Sequence, residues 1–189
     1  MEIDMNSIIE RLMEGNERFI SEGLRKGDIS AIIRKKTCME GQKPYAVVIT
    51  CSDSRVIPEA IFDAGIGDLF VIRVAGNVID NHQLGSIEYA AEHLGTKLIV
   101  VLGHTHCGAV DAAIHHDPEG YIKFITDEIQ KAAGEETDPF EAGCLNVRYS
   151  MKKIEESLVI RNEEERGLLV VGAMYDIETG KAAFLEDEQ

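Results

Sequence analysis

Short apolar runs alternate along the chain with segments in which apolar residues recur every three to four positions. Runs of four to eight branched apolar residues are typical of buried strands, whereas the longer period is that of an amphipathic helix. Strands separated by helices predict an α/β fold with a mostly parallel central sheet flanked by helices. A turn at 176–180 precedes the last run, so that run is expected to form an antiparallel C-terminal edge strand. The predicted strands cover residues 45–50, 69–74, 98–102, 168–175 and 182–185.

The predicted helices divide the chain into an arm and a core. Two of them precede the first strand, so we expect an N-terminal helical arm over about residues 1–40 and an α/β core over about 45–189. No repeat and no linker rich in proline, glycine or serine interrupts the chain, which predicts a single domain over 1–189. The apolar stripe of the arm could pack on its own sheet or on a second copy of the chain, because periodicity favours neither. The helices are predicted at 7–21, 29–39, 58–62, 85–94, 109–115, 120–133 and 140–157.

Composition restricts the classes of partner. The 189 residues include 19 basic and 34 acidic side chains, which gives a formal net charge of −15. Nucleic acids and anionic membranes select basic surfaces, so we expect neither as a partner. No apolar run approaches the ~20 residues of a membrane span, and residues 1–4 lack the pattern of a signal peptide. We therefore expect a cytoplasmic protein that acts on a small molecule.

Residues of metal-ligating type directly follow two predicted strands. Cys51 comes after the strand at 45–50, and His104 and Cys107 come after the strand at 98–102. In open parallel sheets, ligands bind beyond the carboxyl ends of the strands, so two such ends can converge on one atom. Thiolates and imidazole are preferred ligands of Zn²⁺, and catalytic sites keep a fourth position open. The sequence predicts one Zn²⁺ per chain, held by Cys51, His104 and Cys107.

The loop after the first strand extends this pattern, because Cys51, Asp53 and Arg55 form a Cys-x-Asp-x-Arg segment. Together with the later His-x-x-Cys motif, this segment resembles the β-class carbonic anhydrases. The resemblance covers most of the chain and implies a zinc enzyme that interconverts carbon dioxide and bicarbonate. It also implies that the arm packs across a partner subunit, in a homodimer or a higher homo-oligomer. Further similar segments lie at 12–20, 70–77, 85–95 and 171–180.

Asp53 and Arg55 are the candidate catalytic residues beside the metal. Two thiolates offset the charge of Zn²⁺, so the ion acidifies its water less than it would among three neutral imidazoles, and neighbouring groups must assist. We expect Arg55 to keep Asp53 ionised through charge-assisted hydrogen bonds. Asp53 then accepts a hydrogen bond from the zinc-bound water and orients the hydroxide for attack on carbon dioxide. The alternative role for Asp53 is that of an ordinary turn residue.

Three questions stay open at the level of sequence. Carbon disulfide and carbonyl sulfide hydrolases resemble the same family and share its zinc ligands, so they are the nearest alternative in substrate. A different class of function would be a non-catalytic structural zinc protein, or a protein in which Cys51 is a redox thiol of low pKa. Asp53, once released from Arg55, could also occupy the fourth zinc position and close the site. In the family that this chain resembles, enzymes whose site is closed by this aspartate carry a signature Trp. This sequence has no Trp, so we expect the open form.

Other residues carry weaker expectations. His106 lies between two predicted ligands and is expected to point to solvent, with a proton-shuttle role as the alternative. Val56, Ile57 and Val74 are candidates for an apolar carbon dioxide pocket. The charged segment 162–166 is expected to be a solvated helix end or loop. Cys38 and Cys144 are expected to stay reduced, with a disulfide between them as the alternative.

Overall fold

Five strands form one sheet in a computed structural model that describes residues 5–21, 25–116 and 118–186. The strand order is β2-β1-β3-β4-β5, with parallel pairing throughout except for the antiparallel pair of β4 and β5. The predicted α/β class, the mostly parallel sheet and the antiparallel edge strand are therefore confirmed. The strands are β1 (Ala46–Thr50), β2 (Leu69–Arg73), β3 (Leu98–His104), β4 (Leu169–Tyr175) and β5 (Ala182–Phe184).

Helices surround this sheet, and each predicted helix has a counterpart in the structure. A 3₁₀ turn at Ala75–Asn77 follows β2, and a π-helical segment at Tyr89–His93 ends the crossover from β2 to β3. None of the helices in the described ranges is both long enough and apolar enough to cross a membrane. The α-helices are α1 (Met5–Ile20), α2 (Ala31–Glu40), α3 (Pro58–Ile61), α4 (Asn81–Glu88), α5 (Gly108–His115), α6 (Ile122–Ala133), α7 (Pro139–Glu155) and α8 (Leu158–Glu164).

Every residue of the interior strands β1 and β3 is buried. β1 and β3 lie inside the sheet, which explains why their sequences are continuous apolar runs and not alternating ones. Val47 and Ile49 of β1 point into a core that includes side chains of α7 and α8. Ala46 and Val48 point to the opposite face, into a core with side chains of α1 and α3. The sheet therefore has helices on both faces, and its carboxyl edge is left for loops.

Helix boundaries differ from the prediction where a capping residue overrides the apolar period. The side chain of Asp80 accepts hydrogen bonds from the amides of His82 and Gln83, so α4 begins at Asn81 and not at residue 85. The hydroxyl of Ser157 caps α8 by accepting a hydrogen bond from the Ile160 amide. The helix predicted over 140–157 is therefore α7, which ends at Glu155, and α8 is a separate helix that the prediction did not include.

The prediction for the charged segment 162–166 is wrong at Glu163. Its side chain is only 8% exposed and accepts hydrogen bonds from Lys97 Nζ at 2.6 Å and from Arg166 Nη1 at 2.7 Å. Lys97 directly precedes β3, so a cation 66 residues away in sequence makes the burial of Glu163 possible. A charge pattern in a single segment does not reveal such a partner.

The arm divides between its two helices. Ile8 and Leu12 of α1 are buried in the core below the sheet, so this stripe packs on its own chain. Asn16 continues the attachment, since its side-chain amide donates to Ile61 O at 3.2 Å and to Gly180 O at 2.9 Å. In contrast, α2 buries none of its residues.

A buried carboxylate also fastens α1 to the core. The Asp63 side chain is 2% exposed and accepts hydrogen bonds from Arg18 Nε at 2.7 Å and from the Lys26 amide at 2.9 Å. Burial raises the pKa of Asp63, but these bonds and the Gly27 amide outweigh it and lower the pKa to about 2. The folded state therefore strongly favours the ionised form.

We expect Asp63→Asn to lower the free energy of unfolding at pH 7 by about 2–3 kcal/mol, because Arg18 and two backbone amides lose their anionic acceptor. The folded pKa lies below the ordinary value of 3.8, so the stabilisation is complete above about pH 4 and disappears as pH falls toward about 2. Urea unfolding at several pH values measures both effects. Asp127→Asn is the matched control, since Asp127 forms an exposed pair with Lys123 and should change stability by less than about 0.5 kcal/mol. Equal losses in the two variants would contradict this role of Asp63.

Candidate metal centre

Three buried ligand side chains meet at the carboxyl edge of the sheet. Cys51 directly follows β1, His104 is the last residue of β3, and Cys107 is the N-cap of α5. The two Sγ atoms are 4.0 Å apart, and all three candidate ligand atoms lie within 4.8 Å of one another. No other group of three His, Cys, Asp or Glu ligand atoms with this spacing was found among the described residues. The structure thus brings together the residues that the sequence singles out.

His104 reaches the site from inside the strand and not from the predicted loop. β3 continues two residues beyond its expected end because Gly103 and His104 pair with Met174 and Tyr175 of β4. A side chain at Gly103 would clash, since a Cβ there would lie 2.6 Å from Met174 Sδ. This glycine therefore leaves room for the Met174 side chain directly before the candidate ligand His104.

The hydrogen bonding of His104 leaves Nε2 as its candidate metal-binding atom. Nδ1 lies 2.8 Å from the Thr105 carbonyl oxygen, so Nδ1 carries the proton and donates. Nε2 is buried and has no hydrogen-bond partner within the described part of the chain. A buried acceptor without a donor is costly, and a metal ion beside the two sulfurs would satisfy it. The donor set of one neutral imidazole nitrogen and two sulfurs fits Zn²⁺.

The electrostatics of the two thiols favour a cation between them. A hydrogen bond from Cys107, with further support from His104 and the Gly76 amide, lowers the pKa of Cys51. The same hydrogen bond and burial beside a thiolate raise the pKa of Cys107. For His104, burial lowers the pKa, but the Cys51 sulfur and the Thr105 carbonyl raise it by more. One sulfur thus takes a negative charge easily, and the second needs a compensating cation.

Asp53 and Arg55 form a bidentate pair next to the cysteine. Arg55 Nε donates to Asp53 Oδ1 at 3.0 Å, and Nη2 donates to Oδ2 at 2.7 Å. The hydrogen bonds from Arg55 hold the pKa of Asp53 well below its usual range despite partial burial. Asp53 is not a member of the group of ligand atoms, which contains only Cys51, His104 and Cys107.

Two further groups, which sequence reasoning did not assign, contact the candidate site. Arg73, at the end of β2, donates to the carbonyl oxygens of Cys51 at 3.2 Å and Asp53 at 2.7 Å, and so fixes the loop that carries both. The Gly76 amide donates to Cys51 Sγ at 3.2 Å. Both residues lie where the chain leaves β2, and no sequence motif signals their contacts.

The weaker expectations have mixed outcomes. The His106 side chain is exposed, while its carbonyl accepts a hydrogen bond from Arg55 at 3.2 Å. Val74 packs in an apolar cluster that contains Cys51 and Cys107. Val56 is fully buried in the core on the α1 side of the sheet, and Ile57 is 48% exposed, so neither joins that cluster.

Comparison with known proteins decides the family. A family model described as "Carbonic anhydrase" matches residues 46–182, a span that begins at β1 and ends in β5. The carbonic anhydrase 2 of Mycobacterium tuberculosis is 38% identical over 183 residues, which cover 90% of this chain and 88% of that protein. The chain belongs to the β-carbonic anhydrase family. The N-terminal arm precedes the part that the family model matches.

Solved structures of β-carbonic anhydrases share this fold. The β-carbonic anhydrase CafA of Aspergillus fumigatus matches with a TM-score of 0.76 at 28% identity, covering 96% of this chain and 90% of that one. A second match comes from crystal structures of two tetrameric β-carbonic anhydrases of Sordaria macrospora. It has a TM-score of 0.74 at 28% identity and covers 95% of this chain and 92% of that one. The resemblance to the β-class carbonic anhydrases that the sequence indicates is therefore confirmed, for the family and for the fold.

Proposed function

We propose that this chain is a zinc-dependent carbonic anhydrase that catalyses the reversible hydration of carbon dioxide to bicarbonate and a proton. The observation that carries the proposal is the meeting of Cys51, His104 and Cys107 within 4.8 Å, with the Asp53–Arg55 pair beside them, in a chain of this family. Neither the structural-zinc nor the redox-thiol alternative accounts for that pair. One Zn²⁺ per chain is the proposed cofactor.

Cys51 and Cys107 would bind the ion through Sγ, and His104 would bind it through Nε2. Bound there, Zn²⁺ would supply a Lewis acid that makes water a nucleophile near neutral pH. The Thr105 carbonyl fixes the ring of His104 by accepting the Nδ1 proton. The Gly76 amide takes up part of the charge on Cys51.

Asp53 is proposed to orient the nucleophilic water. Its carboxylate is held ionised by Arg55, so it can accept a hydrogen bond from the water and direct a lone pair toward the carbon of carbon dioxide. Arg55 also keeps the carboxylate from turning to the metal, and Arg73 holds the Asp53 backbone. This arrangement supports an open fourth position, as the absence of Trp suggested.

The apolar cluster around the sulfurs suits an uncharged substrate. Val74, Val78 and Val110 pack with the two cysteines in one cluster. Carbon dioxide has no net charge, so contact with such side chains and not ion pairing would place it. An open cavity of about 550 Å³ is lined by Cys107 and Phe140 and gives a small molecule access to the sulfur of Cys107.

We further propose that the protein forms a homodimer or a higher homo-oligomer. α2 exposes Ile32 and Met39, each 80% exposed, and buries nothing in its own chain. Apolar exposure of this kind marks an interaction surface, and the arm is the part expected to cross a partner subunit. β2 is an open sheet edge that another copy could also cover. The related enzymes of Sordaria macrospora are described as tetrameric, which supports this proposal.

A cytoplasmic location is proposed on the basis of the cysteines. All four are free, including the exposed Cys38 and the half-buried Cys144, as a reducing compartment allows. A single domain with residues 1–40 as its arm remains our proposal for the organisation of the chain.

Metal binding should control thiol reactivity. In the native zinc-loaded protein, we expect Cys51 and Cys107 to react with a thiol reagent only after the zinc is chelated. Thiol titration with mass spectrometry, before and after chelator is added, measures this order. Rapid modification of Cys51 in protein that retains its zinc would favour the redox-thiol alternative.

The proposed reaction is tested by stopped-flow hydration of carbon dioxide from about pH 6.5 to 9 on protein of known zinc content. Asp53 stays ionised across this range, so we expect a profile with a single ionisation. The same preparation is then assayed with carbonyl sulfide and carbon disulfide. Hydrolysis of those compounds without hydration of carbon dioxide would replace the proposal with the sulfur-substrate alternative. A profile much steeper than one ionisation would indicate that Asp53 closes the site.

A further inference from the structure

One face of α7 is fastened to the segment that follows β2. Asn146, Ser150 and Lys153 are spaced by four and three residues, so they form one stripe of the helix, here called the α7 stripe. Each side chain donates a hydrogen bond to a backbone carbonyl between residues 76 and 79. The bonds join Asn146 Nδ2 to Gly76 O at 2.8 Å, Ser150 Oγ to Asn77 O at 3.1 Å and Lys153 Nζ to Ile79 O at 2.7 Å.

The held segment has an unusual backbone that touches the metal centre. Gly76 and Asn77 are both left-handed, with φ of 67° and 45°. This turn aims the Gly76 amide at Cys51 Sγ, 3.2 Å away. A side chain at Gly76 would be strained by this left-handed backbone, and its Cβ would lie 2.6 Å from Ile129 Cδ1. The α7 stripe therefore holds the segment whose amide contacts Cys51.

The side chain of Asn146 carries a buried polar atom that lowers the stability of the fold. It is 1% exposed, and its Oδ1 accepts no hydrogen bond from the residues that the structure describes. Its neighbours on the buried side of the helix include Ala142, Val147 and Ile154, which are fully buried. An apolar residue would avoid the penalty of an unpaired buried oxygen. Stability alone therefore does not account for an asparagine here, whereas its bond to the Gly76 carbonyl does.

We propose that Asn146 is a positioning residue for the metal centre: with Ser150, it clamps the Gly76 turn so that the Gly76 amide hydrogen bonds to the sulfur of Cys51. This inference rests on the proposed zinc centre and adds a residue that does not touch the ion. Hydrogen bonds to a ligand sulfur reduce its electron donation and fix its direction. Outer contacts of this kind typically alter metal affinity by about 10-fold to 100-fold.

The test compares Asn146→Ala with the parent by zinc competition against a chelator and by the absorption of the Co²⁺-substituted protein. We expect the zinc dissociation constant to rise by about tenfold or more, because the sulfur of Cys51 is no longer held in its ligand direction and this loss outweighs its stronger electron donation. We also expect the sulfur-to-cobalt charge-transfer band to move to lower energy, because a sulfur without its hydrogen bond releases electrons more easily. A merely structural role would not move that band in folded protein.

Asn16→Ala is the matched control. Asn16 is also a buried asparagine that donates to two backbone carbonyls, but it joins α1 to the end of α3 and to the turn before β5. It should lose stability while keeping the parent's zinc affinity and Co²⁺ spectrum. A parent-like spectrum and affinity in folded Asn146→Ala would overturn the inference.

If Asn146→Ala does not fold, Ser150→Ala takes its place. We expect a shift of the band in the same direction but smaller, because this hydroxyl holds the next carbonyl of the turn. No shift in Ser150→Ala would then overturn the inference. A parent protein that binds neither Zn²⁺ nor Co²⁺ would instead overturn the proposed metal centre itself, so the two failures are distinguishable.

Discussion

Replacing Cys51 with serine is expected to remove both the bound zinc and the hydration activity. A serine hydroxyl is a poor zinc ligand near neutral pH, and the remaining His104 and Cys107 provide only two of the three ligands that a catalytic site uses. Zinc content should fall from near one per chain to less than about a tenth, because the loss of a direct ligand exceeds the 10-fold to 100-fold effect of an outer contact. Metal analysis after gel filtration and stopped-flow hydration on the same sample measure both quantities.

Cys38→Ser is the matched control for this variant. It makes the same chemical change at an exposed thiol on α2, away from the carboxyl edge of the sheet. Its zinc content and hydration rate should equal those of the parent. Full zinc binding by Cys51→Ser would show that the three residues do not form the metal centre. Equal loss in both serine variants would point to a general effect of cysteine removal.

Asp53→Ala is expected to lower kcat by about 100-fold to 10,000-fold while zinc content stays near one per chain. The carboxylate is proposed to orient the nucleophile without binding the ion, so its removal should affect the reaction and leave Cys51, His104 and Cys107 in place. Arg55→Ala should also lower kcat, because the carboxylate would lose the two hydrogen bonds of 3.0 and 2.7 Å that hold it. Initial rates at several carbon dioxide concentrations separate kcat from KM.

Asp127→Ala is the control for the loss of an acidic side chain. Asp127 is exposed on α6 and pairs with Lys123 at 2.8 Å. It should retain the parent's kcat. An active, zinc-loaded Asp53→Ala variant would reduce Asp53 to a turn residue. Loss of zinc in that variant would indicate that the carboxylate belongs to the ligand set, as in a closed site.

The sequence predicts the parts of this site that depend on local order. Cys51, Asp53 and Arg55 lie within five consecutive positions directly after a buried strand, so the fold class already places them at one edge of the sheet. The residues contributed by β3 follow by the same argument, because parallel neighbours end at the same edge. These relations need only the strand pattern and the direction of the chain.

Contacts between distant segments are not predictable in this way. The bond from Asn146 to Gly76 spans 70 residues, and the position of Glu163 depends on Lys97, which lies 66 residues earlier. Glu163 lies in a charged segment that resembles a solvent-facing helix end, and nothing in the sequence around Asn146 indicates its partner. Their burial follows from how α7 and α8 pack against the sheet, which the helical period alone does not specify.

The extent of β3 shows a similar limit. An apolar run marks where a strand is buried, and the run ends at Leu102. Backbone pairing with β4 continues for two more residues, because Gly103 allows close packing and His104 pairs with Tyr175. Backbone pairing with β4, and not hydrophobicity, therefore places His104 within β3.

The central claim is that zinc held by this chain hydrates carbon dioxide. The most direct measurement follows stopped-flow hydration by one preparation as zinc is removed by chelation and then returned in measured steps. We predict that the rate falls to that of buffer and recovers in proportion to zinc until one ion is bound per chain. Hydration that persists in metal-free protein, or a fully zinc-loaded protein that does not hydrate carbon dioxide, would contradict the account.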